Sequence, residues 1–482
     1  MQFNSYIFIL AFLPLFVIAY FLINRINVTI GKMLLILGSA VFYVYGGWKI
    51  ALILGISIIM NYVLALCLGK IQIKRRVILT VAIVGNILLL FYFKYINFLI
   101  DNLNKIMKTE ITFQNLILPL GISFFTFQQI MYLVNIYDKK IEKVNLIDYL
   151  GYILYFPKLL SGPIMEPIDL ITQINDQERK KVNWDNICNG LKIFSLGLFK
   201  KMLIADTFAL AVNWGYENME IATSIDWLLI MLFYTFEIYF DFSGYSDMAT
   251  GVSVMLNIEL PMNFDSPYKA VSIRDFWKRW HITLTGFLTR YVYIPLGGSR
   301  KGEKRTYLNT LIVFLVSGIW HGANWTFILW GILHGCFSVF DRIADKIQQK
   351  IFKPVRWVCT FTVVNILWLL FRSDSVAQWW TVLRKIFSFD SVQISDGLIN
   401  TFTLPETPAI NRILHLGYLY DNVRGFNLWC FTLITFFICI IPVNNYRNLK
   451  KNNWFYMIIC AAAFVWAFLC LSGESVFVYF NF

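Results

Sequence analysis

Long apolar runs punctuate this chain from end to end, and a water-soluble core cannot absorb so many of them. They extend over 6–24, 33–48, 51–68, 77–95, 116–137, 226–242, 307–320, 325–340, 355–371, 426–442 and 454–471. Each approaches the roughly 20 apolar residues that a helix needs to cross a bilayer. None alternates polar and apolar residues, so the strands of an outer-membrane barrel are excluded. The sequence is 58% hydrophobic and only 15% charged, far more apolar than a soluble domain requires. The expected fold is an all-α polytopic integral membrane protein with about 11 or more membrane helices in contact with lipid. The first run lacks a basic flank and a small-residue cleavage site, and is read as a retained span.

One membrane domain is expected over 1–482, with N-terminal helices to 110, a motif-bearing core over 111–345 and C-terminal helices over 346–482. The net charge is +13, which raises the question of a nucleic-acid partner. The basic residues sit in short loops such as 70–76 and 139–143, the pattern of cytoplasmic loops, and nucleic acid is set aside. The richest cluster, 269–305, holds Arg274, Lys278, Arg279, Arg290, Arg300, Lys301, Lys304 and Arg305 against Asp275 and Glu303. Eight cysteines lie in or beside apolar segments without a CxxC pair and read as buried small hydrophobes.

Two stretches depart from simple spanning helices. The segment Tyr155–Ile164 packs Pro157, Gly162 and Pro163 into apolar surroundings, which breaks a helix and calls for a re-entrant or cavity-lining path. The polar segment 373–425 contains an amphipathic piece, Val376–Phe387, and then Pro405 and Pro408, and is expected on the membrane surface. A third stretch, Ser272–Phe287, carries apolar residues at helical spacing, with Ser272 as cap and Asp275 reaching back. His281 then falls near the end of an interfacial helix, between its apolar and basic faces.

Only four histidines are present. His321 interrupts an apolar run between Gly318 and Gly322, walled by Trp320 and Trp325. An imidazole with an ordinary pKa of about 6.5 is a natural proton acceptor for a weak nucleophile. The alternative is a core histidine bonded to a neighbouring carbonyl, but ionisable groups at bilayer depth are costly and point to function. For His281 the residues leave both readings open, since a histidine beside tryptophans can simply be an amphipathic tip. His334 reads as a packed, hydrogen-bonded residue, and His415 as solvated and passive. Glu237, Asp241 and Asp247 lie at the end of one apolar run and must be paired, with anchoring as plausible as catalysis. No close-spaced histidine pair suggests a metal, and none is expected.

Six ordered motifs resemble the membrane-bound O-acyltransferase family, in its bacterial polysaccharide-modifying branch: LPLGISFF from Leu118, FPKLLSGPI from Phe156, YFDFSGYSD from Tyr239, NFDSPYKAVSIRDFWKRWH from Asn263, YIPLGG from Tyr293 and SGIWHGANW from Ser317. The resemblance implies a helical bundle around a funnel open to the cytoplasm, in a bacterial cytoplasmic membrane. It implies His321 as the principal catalytic histidine and His281 as the second. It also implies an acyl thioester donor made in the cytoplasm and a hydroxyl acceptor outside. Acetyl-coenzyme A fits as donor substrate, with no permanently bound cofactor, and the 269–305 cluster, Lys278 and Arg279 included, would attract its phosphates. Trp320 and Trp280 are expected against the substrate, and His281 or Asn324 could supply a donor to the developing oxyanion.

The chain ends in FVYFNF, similar to a terminal motif of polysaccharide-acetylating members. The resemblance implies that Tyr479 relays the acyl group to a secreted or membrane-anchored esterase-like partner, and thence to a polysaccharide; an aromatic interface anchor is the alternative. Two rivals remain: D-alanyl transfer to teichoic acid from a carrier protein, and an acyl or glycan transporter.

Overall fold

Among the described residues every regular element is a helix. The computed structural model describes all residues except 72, 442–443, 449–452, 473–476 and 478–482, so Tyr479 lies outside the described residues. Among the described residues five helices are long and apolar enough to cross a membrane: Phe8–Ile26, Trp48–Lys70, Arg75–Lys94, Trp325–Ile343 and Lys353–Arg372. Val28–Val44, Phe426–Ile440 and Trp454–Leu469 are shorter apolar helices. Their exposed side chains, such as Leu15, Leu37, Ile59, Leu88 and Ile434, are apolar, as a lipid-facing surface requires. The protein is therefore a polytopic α-helical membrane protein.

The chain folds as two compact units interleaved in sequence. The first comprises 1–198, 245–262 and 449–482, and the second 199–244 and 263–448.

In the first unit, α1 (Leu13–Ile26), α2 (Val28–Val44), α3 (Trp48–Lys70), α4 (Arg75–Lys94), α5 (Ile122–Tyr137) and α6 (Leu146–Leu154) surround a core in which the rings of Phe3, Phe8, Phe42 and Phe156 meet tilted or edge-on. Asn27 caps α2 by accepting from the amides of Thr29 and Ile30. Buried Asn61 and Asn86 exchange amide hydrogen bonds of 3.1 and 2.6 Å between α3 and α4. Such a clasp inside a membrane contributes on the order of 1 kcal/mol. The apolar run 116–137 is helical only from Ile122. Gly121 precedes it at φ +72°, and a Cβ there would stand 2.9 Å from the Leu159 carbonyl oxygen. The expected break at 155–164 is present: α6 stops at Leu154 and one turn, Phe156–Leu159, follows. Within it Lys158, wholly buried, donates to Gln128 at 2.5 Å and lies 4.1 Å over the Tyr152 ring.

The second unit is organised by a helical hairpin. Helix α7 (Ser224–Met255) begins here, and α8 (Ile273–Arg279) and α9 (Ile282–Leu288) follow. Then α10 (Glu303–His321) rises from the basic loop and α11 (Trp325–Ile343) returns, before α12 (Lys353–Arg372) and α13 (Val376–Ile386). The hairpin is close because two glycines face each other: a Cβ on Gly318 would meet the Phe327 carbonyl oxygen at 2.4 Å, and one on Gly331 the Phe314 carbonyl oxygen at 2.4 Å. Only residues without a side chain permit this approach.

Helix α13 has the amphipathic form expected for 376–387, with Val382, Leu383 and Ile386 buried and Trp380 exposed. The polar segment is tied to the hairpin turn by Asn324, which donates to the Asp374 carbonyl at 2.8 Å. It is also tied to the start of α7, where Ser224 donates from its amide to Asp390 and Asp226 accepts from Ser395. One end of this unit therefore carries the hairpin turn and the polar segment, and the other carries Glu303 and the basic loop.

The cysteines are not uniformly buried. Cys439 and Cys460 are, but Cys188, Cys336 and Cys359 are exposed.

Candidate active site

His281 does not sit on a continuous helix. The expected 272–287 helix is interrupted, because Trp280 turns extended (φ −99°, ψ 130°) and His281 adopts a left-handed conformation (φ 43°, ψ 53°). An L residue in that region costs on the order of 1 kcal/mol, which the surrounding packing must offset. The kink carries the imidazole from the border of the apolar and basic faces into complete burial. The N-terminal cap follows the sequence reading: Ser272 Oγ accepts from the Asp275 amide, and Asp275 reaches back to the Val271 amide.

Asn263 Oδ1 lies 3.0 Å from His281 Nδ1 and also accepts from the Thr283 hydroxyl at 2.9 Å and, weakly, from its amide. An amide oxygen can only accept, so Nδ1 carries the proton and Nε2 the lone pair. Burial pushes the imidazole down to about 3. In this tautomer neutral His281 presents an acceptor at Nε2. Nothing in the spacing of Asn263 from His281 announces this partner, although both lie in one recognised motif.

His321 is the last residue of α10 and is 2% exposed. Three aromatic rings meet its imidazole edge-on: Trp320 at 4.9 Å, Trp330 at 5.1 Å and Phe371 at 5.2 Å between centroids. Trp320 also lies 6.2 Å from the His281 ring, so one indole adjoins both histidines. Trp325, by contrast, is 56% exposed.

The other expected site residues divide. Trp280 is buried in an aromatic stack with Phe276, Phe264 and Trp368. Arg279 is held by Asp275 at 2.9 Å. Asn324 caps α11 through its carbonyl oxygen and binds Asp374 through its amide nitrogen, so both ends are engaged. Lys278 is exposed and lines a cavity of about 240 Å³ together with Arg274, Trp277, Phe314, Ser317, Ser338 and Arg342. The cavity is mainly apolar, with these three cations around it. Neither His281 nor His321 lines it, but Ser317 stands one turn before His321.

His334, expected to be packed and bonded, accepts from the Trp277 indole at 3.2 Å. His415 is exposed, as expected. Asp241 pairs with Lys201 at 2.6 Å, both 1% exposed, and Lys201 also binds Asp206 at 2.8 Å. These pairs fasten a π-helical turn, Lys200–Ala205, to α7. Among the described residues no three His, Cys, Asp or Glu side chains stand together as a metal site.

The sequence of the membrane-bound O-acyltransferase family matches residues 42–373, a span that includes both histidines, Asn263 and the whole hairpin. The chain belongs to that family. It is 36% identical to a peptidoglycan O-acetyltransferase of Helicobacter pylori, across 100% of this chain and 97% of that protein. A probable alginate O-acetylase AlgI of Pseudomonas aeruginosa is also 36% identical, across 82% of this chain and 76% of its own length. A teichoic acid D-alanyltransferase of Streptococcus thermophilus is 28% identical over 56% of this chain. This O-acyltransferase is thus an enzyme of acyl transfer, and the paired buried histidines are its candidate centre.

Proposed function

We propose that this O-acyltransferase takes acetyl from cytoplasmic acetyl-coenzyme A and delivers it to a hydroxyl on the far side of the bacterial cytoplasmic membrane, for O-acetylation of a polysaccharide. The observation that carries this reading is the placement of His281 and His321, both buried and both beside Trp320. The likeness to acetyltransferases named for peptidoglycan and alginate supports acetyl as the group and a polysaccharide as the acceptor.

In the proposed reaction the hydroxyl oxygen attacks the thioester carbonyl carbon while His321 removes its proton. Collapse of the tetrahedral intermediate breaks the carbon–sulfur bond. The thiolate leaves with the electron pair and takes the proton back from the imidazolium, giving free thiol and ester. Enclosure of His321 by three aromatic rings excludes water and so disfavours hydrolysis. His281, an acceptor at Nε2, suits orienting a hydroxyl. The cations Arg274, Lys278 and Arg342 beside the apolar cavity suit a donor with phosphates at one end and a neutral arm at the other.

Tyr479 is proposed as the hydroxyl that first receives the acyl group, before a secreted or membrane-anchored esterase-like partner moves it onward. The test is purified protein incubated with labelled acetyl-coenzyme A. Label on the C-terminal peptide, lost in His321→Ala and in Tyr479→Phe, supports both roles. Label that survives His321→Ala would point to a transporter instead, and a requirement for a carrier protein would favour D-alanyl transfer.

A further inference from the structure

The cavity and the histidine centre are separated by an aromatic layer, and one hydrogen bond fixes it. Trp277 lines the cavity and packs edge-on against Phe314 at 5.3 Å and Trp330 at 5.6 Å. Trp330 in turn touches His321. The Trp277 indole N–H donates to Nδ1 of His334, which is wholly buried and lies 4.7 Å from the Trp330 ring.

We propose that His334 is a positioning residue that pins Trp277 across the end of the cavity, so that the pair sets which acyl groups pass toward His321. This rests on the donor reading given above. A phenylalanine would fill the site of His334 at less cost, because burying an imidazole requires polar groups to be satisfied. What histidine adds is the acceptor for Trp277. Satisfying an indole is not reason enough, since the Trp330 indole N–H, one turn away, is buried with no hydrogen-bond partner among the described residues. The bond therefore serves the orientation of one particular ring, the one that faces the cavity. A wall of this kind discriminates by size, where one methylene is worth about tenfold or more.

The experiment compares acetyl- and butyryl-coenzyme A as donors to the full-length enzyme, with kcat and KM measured separately, in Trp277→Phe, His334→Phe, the double variant and His334→Asn. Asparagine keeps an acceptor close to the place of Nδ1. Each single phenylalanine variant should raise the butyryl-to-acetyl ratio of kcat/KM by about tenfold. The double variant should go no further than either, and His334→Asn should return most of the wild-type ratio. Multiplying effects in the double variant, an unchanged ratio in active single variants, or an asparagine variant that behaves like phenylalanine would overturn the pairing while leaving the donor reading intact. Wild-type protein inactive with both thioesters, or activity indifferent to His321→Ala, would remove the donor reading and the pairing with it.

Discussion

His281 and His321 reach burial by opposite means. His281 stands at a break, held by a left-handed backbone and by Asn263, where α8 ends and α9 begins. His321 stands at the end of an unbroken helix, held by the close approach of α10 and α11 at Gly318 and Gly331. The first is fixed where a strained backbone meets Asn263, and the second where two helices pack closely. A side chain that must keep one tautomer gains from a dedicated hydrogen bond. A side chain that must gain and lose a proton is served by rings that crowd it and keep bulk water away.

The largest expected effect comes from removing the proton acceptor. His321→Ala should lower acyl transfer by roughly a thousandfold or more, with assembly in detergent unchanged by size-exclusion chromatography. Retained transfer in a folded variant would end the assignment. His281→Asn should cost less, on the order of a hundredfold, and should leave the pH dependence of kcat unmoved. Its imidazole is already neutral through the working range, because its pKa is pushed down to about 3. An acid limb that shifts in this variant would transfer the titrating role to His281.

Packing is tested at Gly318. Gly318→Val should destabilise the hairpin by about 1 to 3 kcal/mol and lower activity with it. Gly286→Ala, whose Cβ would meet nothing within 4 Å, should leave the thermal midpoint unchanged. The smallest effect isolates strain. His281→Gly and His281→Ala both remove the ring, but glycine accepts the positive φ, so the glycine variant should be more stable by about 1 kcal/mol in thermal unfolding. Equal midpoints would mean that the left-handed turn relaxes once the ring is gone.

Much of this architecture can be read in the sequence. The apolar runs give the helices because lipid demands internally satisfied backbones, and Ser272, Pro157 and Pro163 mark their starts and breaks through local chemistry. The kink at His281 escapes such reading. Apolar spacing continues through it from Ile273 to Phe287, and neither glycine nor proline announces the single residue whose backbone turns. Lys201 escapes too, since beside Lys200 it looks like one more loop cation, whereas its burial depends on Asp241, 40 positions away. The same holds for Asn263 and for the Trp277–His334 pair, 57 positions apart. Partners chosen by tertiary folding leave no local periodicity.

The length of α10 has a consequence for energetics. Its 19 residues place His321 about 27 Å along the helix from Glu303 at 1.5 Å per residue. On the proposed reaction a hydroxyl outside gives up a proton and a thiol inside receives one, while the acyl group moves outward. Acyl transfer is then an exchange of acyl for hydrogen in which a neutral thioester and alcohol become a neutral thiol and ester, so no net charge crosses and the membrane potential does no work on it. The thioester's own free energy therefore carries the acyl group outward, and the distance along one helix lets it do so independently of the cell's resting voltage.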